Sequence, residues 1–131
     1  MRDNYPYKDV DVYLPDTTWP LHRNLVELTG FKWKPYRYYN PSTKGLDYQG
    51  MCEDLKNAPK NSIVVYHVCA HNPTGVDPTE WQWQNILDIV KTINFFNGFD
   101  SAYQGFASGD VDKDSYSLRL FSQHTDNIML F

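Results

Sequence analysis

The stretch Ile63-Val64-Val65-Tyr66-His67-Val68-Cys69-Ala70 is a nearly continuous β-branched and apolar run, the pattern of a strand buried on both faces, as parallel sheets require. Behind it Trp83, Ile86, Leu87, Val90 and Ile93 fall on one stripe at helical spacing. The start signal for that helix is Asp77 as N-cap, Pro78 at the first helical position and Glu80 just after. Phe95 to Phe99 is a second apolar run that ends at Asp100, with Asn97-Gly98 an awkward pair inside it that could make a bulge. Upstream, Thr18-Trp19-Pro20 followed by Leu21, Leu25, Val26 and Leu28, with Gly30 behind them, predicts a capped helix with a glycine stop. Phe31 to Tyr39 alternates as a short strand, and Asn40 to Gly45 is a turn. Leu46 to Ala58 has helical spacing at Met51, Cys52 and Leu55, weakened at Gly50 by about 1 kcal/mol. A polar Gly-rich loop, a helix near Asp112 to Phe121 and a short strand from Asn127 to Phe131 complete the pattern. Residues before Thr18 read as an irregular aromatic opening. Helices alternating with buried strands predict an α/β fold, layered helix/sheet/helix around a mostly parallel sheet.

With 131 residues, no internal repeat and no linker, the chain is one domain at most. Its 41% hydrophobic and 16% aromatic residues can form a real core. The net charge of −4, from 16 acidic and 12 basic side chains without a basic stripe, argues against nucleic acid as a partner. No stretch approaches the roughly 20 apolar residues of a membrane span. The opening residues resemble neither a signal core nor a transit peptide, so a soluble, untargeted chain is expected. Cys52 and Cys69 form no CxxC pair, which favours a reducing intracellular compartment, cytoplasmic or mitochondrial without a choice between them.

Open α/β sheets bind ligands outside the carboxyl ends of their strands, and polar clusters sit at both such ends here. His71-Asn72-Pro73-Thr74-Gly75 follows the first buried run and Asp100-Ser101-Ala102-Tyr103-Gln104-Gly105 the second. Each has a plainer reading, as a turn by propensity or as an aspartate capping the next helix, and Trp19 could simply belong to the core. His67, Cys69 and His71 share one side of a strand by period-two spacing. No fourth ligand accompanies them, so no metal is expected there, and Cys69 reads as a small buried hydrophobe.

The segments Thr18-Trp19, Tyr36-Arg37-Tyr38-Tyr39-Asn40, Val68 to Thr79 and Phe99 to Asp110, in this order, resemble the central stretch of aspartate aminotransferase, a class I pyridoxal-phosphate-dependent family. Asn-Pro-Thr-Gly is common to many such aminotransferases, whereas the Cys-Ala-His prefix and Ala-Tyr-Gln-Gly-Phe-Ala-Ser-Gly are more specific to the aspartate enzymes. The resemblance runs from about Leu14 onward and implies pyridoxal 5'-phosphate as cofactor. It implies that Asp100 faces the pyridine nitrogen, keeping it protonated and the ring an effective electron sink. Asn72 and Tyr103 would hydrogen-bond the phenolic oxygen, Trp19 would stack on the ring, and His22 and His67 would hold and polarise the aspartate behind it. The Asn72-Pro73 peptide is expected to be cis. Thr17 departs from the family's usual proline and Asn97-Gly98 from its apolar residues, so the strand leading to Asp100 is expected to pack less well.

The same resemblance casts residues 1–131 as a single partial domain, the central segment of the fold-type I large domain. It lacks the N-terminal part, the Schiff-base lysine segment and the C-terminal small domain. No catalytic lysine is therefore assigned within the chain, and transamination by the chain alone is not expected. The family's reaction moves an amino group between L-aspartate and 2-oxoglutarate in a homodimer, which makes small amino and oxo acids the implied partners. The competing reading is a truncated or diverged copy acting as a structural or interaction piece.

Overall fold

The computed structural model describes residues 5–7 and 9–131. In chain order the elements are β1 (Asp11–Pro15), α1 (Pro20–Leu28), β2 (Lys32–Tyr36), β3 (Tyr39–Asn40), β4 (Gly45–Leu46), α2 (Tyr48–Asn57), β5 (Ile63–His67), α3 (Glu80–Ile93), β6 (Phe96–Asp100), α4 (Val111–Asp114), α5 (Tyr116–Ser122) and β7 (Ile128–Leu130). Among the described residues five strands form one sheet in the order β2-β1-β5-β6-β7, with every neighbouring pair parallel. The chain steps from β1 outward to β2 and then returns to lay β5, β6 and β7 on β1's other side. That reversal is a topological switch point, and in open parallel sheets it leaves a crevice outside the carboxyl ends of the two strands that flank it. Among the described residues no helix is long and apolar enough to cross a membrane.

Period-two alternation divides the strand side chains between two layers. Tyr13, Val64, Tyr66 and Phe99 pack with Met51 and Leu55 of α2, Trp83, Ile86 and Val90 of α3, and Phe121 of α5. Val12, Leu14, Ile63 and Val65 face the opposite layer, with Phe31 and the α1 residue Val26. Burial of each large apolar side chain stabilises the fold by about 1.5–3 kcal/mol, so α2, α3 and α5 are tied far more firmly than α1. The leucines of α1 in fact turn outward. Leu21, Leu25 and Leu28 are exposed, and the fully buried residue of this helix is His22.

Several local expectations are corrected. The irregular opening contains β1, whose Val12 and Leu14 are buried against Phe31 and Val26 and beside Ile63 and Val65. Helix α1 has Pro20 in its first turn but no side-chain cap, since its N-cap residue is Trp19, which carries no acceptor; Gly30 does stop it, at φ 81°. Helix α3 is capped by Thr79, not Asp77. Thr79 accepts from Gln82 N while Gln82 Oε1 accepts from Thr79 N, a reciprocal capping box. Asp77 instead reaches back, accepting from Ala70 N at 2.6 Å and His71 N at 2.9 Å. The segment from Asp112 to Phe121 breaks at Ser115 into α4 and α5.

No bulge forms in β6, whose register with β5 runs unbroken from Ile63↔Phe96 to His67↔Asp100. Nor is this strand loosely packed, because Asn97 and Phe99 are fully buried. Asn97 Nδ2 donates to the carbonyls of Phe95 and Asn127, so its amide stitches β6 to the start of β7. Gly98 leaves room for the ring of Phe131.

Candidate functional site

Asp100 closes β6 and His67 closes β5, and the two are register partners with side chains on the α1 side of the sheet. The connection from β1 into α1 brings Thr18 and His22 over them. His22 Nε2 lies 2.9 Å from Asp100 Oδ2, and His67 Nδ1 lies 4.0 Å from the same oxygen. Thr18 Oγ1 stands 2.9 Å from His22 Nδ1 and 3.1 Å from His67 Nε2. Carboxylate, imidazole, hydroxyl and imidazole therefore close a ring at the ends of β1, β5 and β6, beside the switch point. Thr18, His22 and His67 are buried, whereas the Asp100 side chain keeps 20% of its surface and faces outward.

The electrostatics follow from that packing. The contact with His22, against some desolvation and helped by His67, holds the Asp100 carboxyl below its ordinary range. Burial, and then the proximity of His22, push His67 down to about 4 despite the attraction of Asp100. Burial and then the proximity of His67 push His71 down to about 3. At neutral pH the site thus presents an ionised carboxylate beside neutral His67 and His71.

Of the six residues singled out from sequence, His22, His67 and Asp100 come into direct contact. Trp19 sets its ring edge-on to His22 at 5.5 Å and remains 37% exposed, so it is not a core tryptophan. Asn72 follows the same turn as His67, and its backbone N–H approaches His67 Nδ1 at 3.4 Å. The Asn72-Pro73 peptide is cis, as the resemblance implies. Tyr103 stands on the loop after β6, 42% exposed. The alternation that would align His67, Cys69 and His71 stops where β5 ends, and Ala70 turns left-handed at φ 46°. His71 instead stacks on Tyr38 at 4.0 Å and meets Thr74 Oγ1 at 2.7 Å.

Two polar side chains carry roles that their local sequence does not mark. Thr18 looked like a helix cap and is the bridge between two imidazoles. Asp114 falls inside the helix expected near Asp112 to Phe121, yet its carboxylate accepts from the backbone N–H groups of Gly105, Ala107 and Ser108 and from Ser108 Oγ. It fastens the loop that carries Tyr103, and the Ser108 contact with those amides holds its own carboxyl low. The sequence signal was the Gly-rich loop itself, whose amide groups need acceptors. A cavity of about 110 Å³ lined by Cys69, Asp77, Trp83 and Asp114 includes none of the Asp100 cluster.

A family model described as aminotransferase class I and II matches residues 7–131. The chain is 53% identical over 110 residues to aspartate aminotransferase 1 of Medicago sativa, covering 84% of this chain and 26% of the relative. Its fold matches the mitochondrial aspartate aminotransferase of Trypanosoma brucei with a TM-score of 0.92 at 40% identity, over 96% of this chain and 33% of that one. It also matches an aromatic-amino-acid aminotransferase from Burkholderia pseudomallei, covalently bound to pyridoxal phosphate, with a TM-score of 0.90 at 36% identity, over 92% of this chain and 30% of that one. The chain thus spans between a quarter and a third of the length of these proteins.

Proposed function

This chain belongs to the class I and II aminotransferase family, and from that premise we propose that it is the central segment of the cofactor-binding large domain of an aspartate aminotransferase. In this reading the whole protein is a homodimer that exchanges an amino group between L-aspartate and 2-oxoglutarate. The observation that carries the reading is Asp100: a partly exposed carboxylate at the end of a central parallel strand, held by His22 at 2.9 Å. The donor set fits pyridoxal phosphate, because a protonated pyridine nitrogen needs an anionic acceptor that stays ionised, and Asp100 is held low.

When bound, pyridoxal phosphate supplies the electron sink for the electron pair left on the amino acid's α-carbon. Asp100 would hold the proton on the ring nitrogen through a charge-assisted hydrogen bond. His22 and His67 position Asp100, and Thr18 positions both imidazoles by tying their far nitrogens to one oxygen. Trp19 offers an exposed flat apolar ring against which a cofactor ring can lie, and Asn72 and Tyr103 would donate to the phenolic oxygen. The cofactor's phosphate and its covalent lysine are assigned to no residue of this chain.

The test is made in a full-length protein carrying this segment. Asp100→Ala lowers aspartate turnover by roughly 10³-fold or more, about 4 kcal/mol of barrier, with cofactor content retained, while Asp100→Glu restores much of the rate. Near-normal turnover in a folded, cofactor-loaded Asp100→Ala protein overturns the assignment.

A further inference from the structure

We infer that Asp77 is a positioning residue for Asn72: its carboxylate fixes the turn after β5 so that the Asn72 side-chain amide is held at one place beside His67. The inference deepens the reading above, in which Asn72 would donate to the phenolic oxygen of pyridoxal phosphate, and rests on it. Connections between elements are ordinarily the mobile part of a fold. This one is bound at nearly every residue. Asp77 Oδ2 accepts from Ala70 N at 2.6 Å and Asp77 Oδ1 from His71 N at 2.9 Å, so one carboxylate spans the two amides at which the chain leaves β5 and turns left-handed at Ala70. Charge-assisted bonds of this kind are roughly twice as strong as neutral ones. Asp77 is available for them because Thr79, two residues on, caps α3.

The rest of the turn is closed in the same way. Gly75 N donates to the His71 carbonyl at 2.6 Å, and Thr74 Oγ1 meets both His71 Nδ1 and Val76 N. The His71 ring is stacked on Tyr38, whose hydroxyl donates to the Val76 carbonyl at 2.6 Å. Asn72 is the exception. Among the described residues its side-chain amide has no hydrogen-bond partner, while its backbone N–H approaches His67 Nδ1 at 3.4 Å, next to the imidazole that faces Asp100. A turn tied down around one unpartnered amide keeps that donor in place before a ligand arrives, so little freedom is lost on binding. Asp77 lines the cavity that contains none of the Asp100 cluster and acts through the backbone. Asp114, on the same cavity, fastens the loop of Tyr103 by the same chemistry, carboxylate to backbone N–H. Each of the two side chains given to the phenolic oxygen thus stands on a loop held by a carboxylate.

The test uses the full-length protein carrying this segment, freed of cofactor. It compares the dissociation constants of pyridoxal phosphate and of 3-deoxypyridoxal phosphate, the analogue without the phenolic oxygen. Asn72→Ala lowers the preference for the natural cofactor by about 10-fold, the worth of one hydrogen bond. Asp77→Asn, which can accept from one of the two amides at most, lowers it by about 5-fold and adds nothing further in the Asn72→Ala protein. Affinity for the analogue stays within about 2-fold throughout, which shows that the variants are folded. In the unaltered protein, hydrogen exchange at the Ala70 and His71 amides is slowed by at least about 100-fold relative to a free peptide, a readout independent of variant folding. An Asp77→Asn protein that keeps the full preference, or that weakens both ligands equally as a merely structural role would, overturns the inference, as do unprotected amides at Ala70 and His71. If Asn72→Ala itself leaves the preference unchanged, the assignment of Asn72 to the phenolic oxygen falls and the inference with it, whereas Asp100 as the pyridine partner stands or falls by its own substitution.

Discussion

The edge of the Phe131 ring lies 3.1 Å from the point where a Cβ on Gly98 would stand. Gly98 has an ordinary strand backbone, so what it provides is space. Phe131 fills that space while pairing its N–H with the carbonyl of Phe99 and its carbonyl with Ser101 N.

Gly98→Val therefore expels the ring and costs about 1–3 kcal/mol of stability. Denaturant midpoints measure it. In a Phe131→Ala background the same substitution costs less than half as much, because the clash is gone. Equal costs in the two backgrounds would refute the packing relationship.

Acid sensitivity follows from the buried imidazoles. His67 and His71, lowered from 6.5 to about 4 and about 3, stay neutral in the folded chain, while the unfolded chain takes up protons near 6.5. Stability from this source is whole above that value. It is lost as the pH falls toward 4, by up to about 1.4 kcal/mol per pH unit for each histidine. Asp77, raised by burial, opposes the trend, and the lowered carboxyls of Asp100 and Asp114 add their loss at still lower pH. The melting temperature drops across this interval, and His71→Phe, which keeps the ring against Tyr38, flattens the slope. A melting temperature constant from 6.5 to about 4 would contradict the neutral-imidazole assignment.

Asp114→Ala releases the loop that follows β6. Hydrogen exchange at the amides of Gly105, Ala107 and Ser108 speeds up by at least an order of magnitude, roughly, since three acceptor contacts vanish together. Exchange within β5 is unaffected. Unchanged protection at those amides would remove Asp114 from the role of fastening Tyr103's loop.

The layered parallel architecture was legible because β5 and α3 carry unambiguous patterns: a continuous β-branched run and an apolar stripe at helical spacing. Strand β1 was not, since Asp11-Val12-Tyr13-Leu14-Pro15 is short and acquires its burial only from neighbours remote in sequence. The α3 cap is ambiguous in sequence because Asp77 and Thr79 are equally good candidates locally, and only the fold directs Asp77 to the Ala70 and His71 amides. Asp100, His22 and His67 were legible through the resemblance. The role of Thr18 was hidden, because one hydroxyl before a helix reads as a cap until a second strand end approaches it.

The β1–β5 ladder holds two registered residue pairs, whereas β1–β2 and β5–β6 hold five each. The sheet is thus two well-knit blocks joined by its shortest seam, and the hydrogen bond between His67 Nε2 and Thr18 Oγ1 crosses that seam just past its end. Whatever occupies the crevice therefore sits at the mouth of the sheet's shortest ladder.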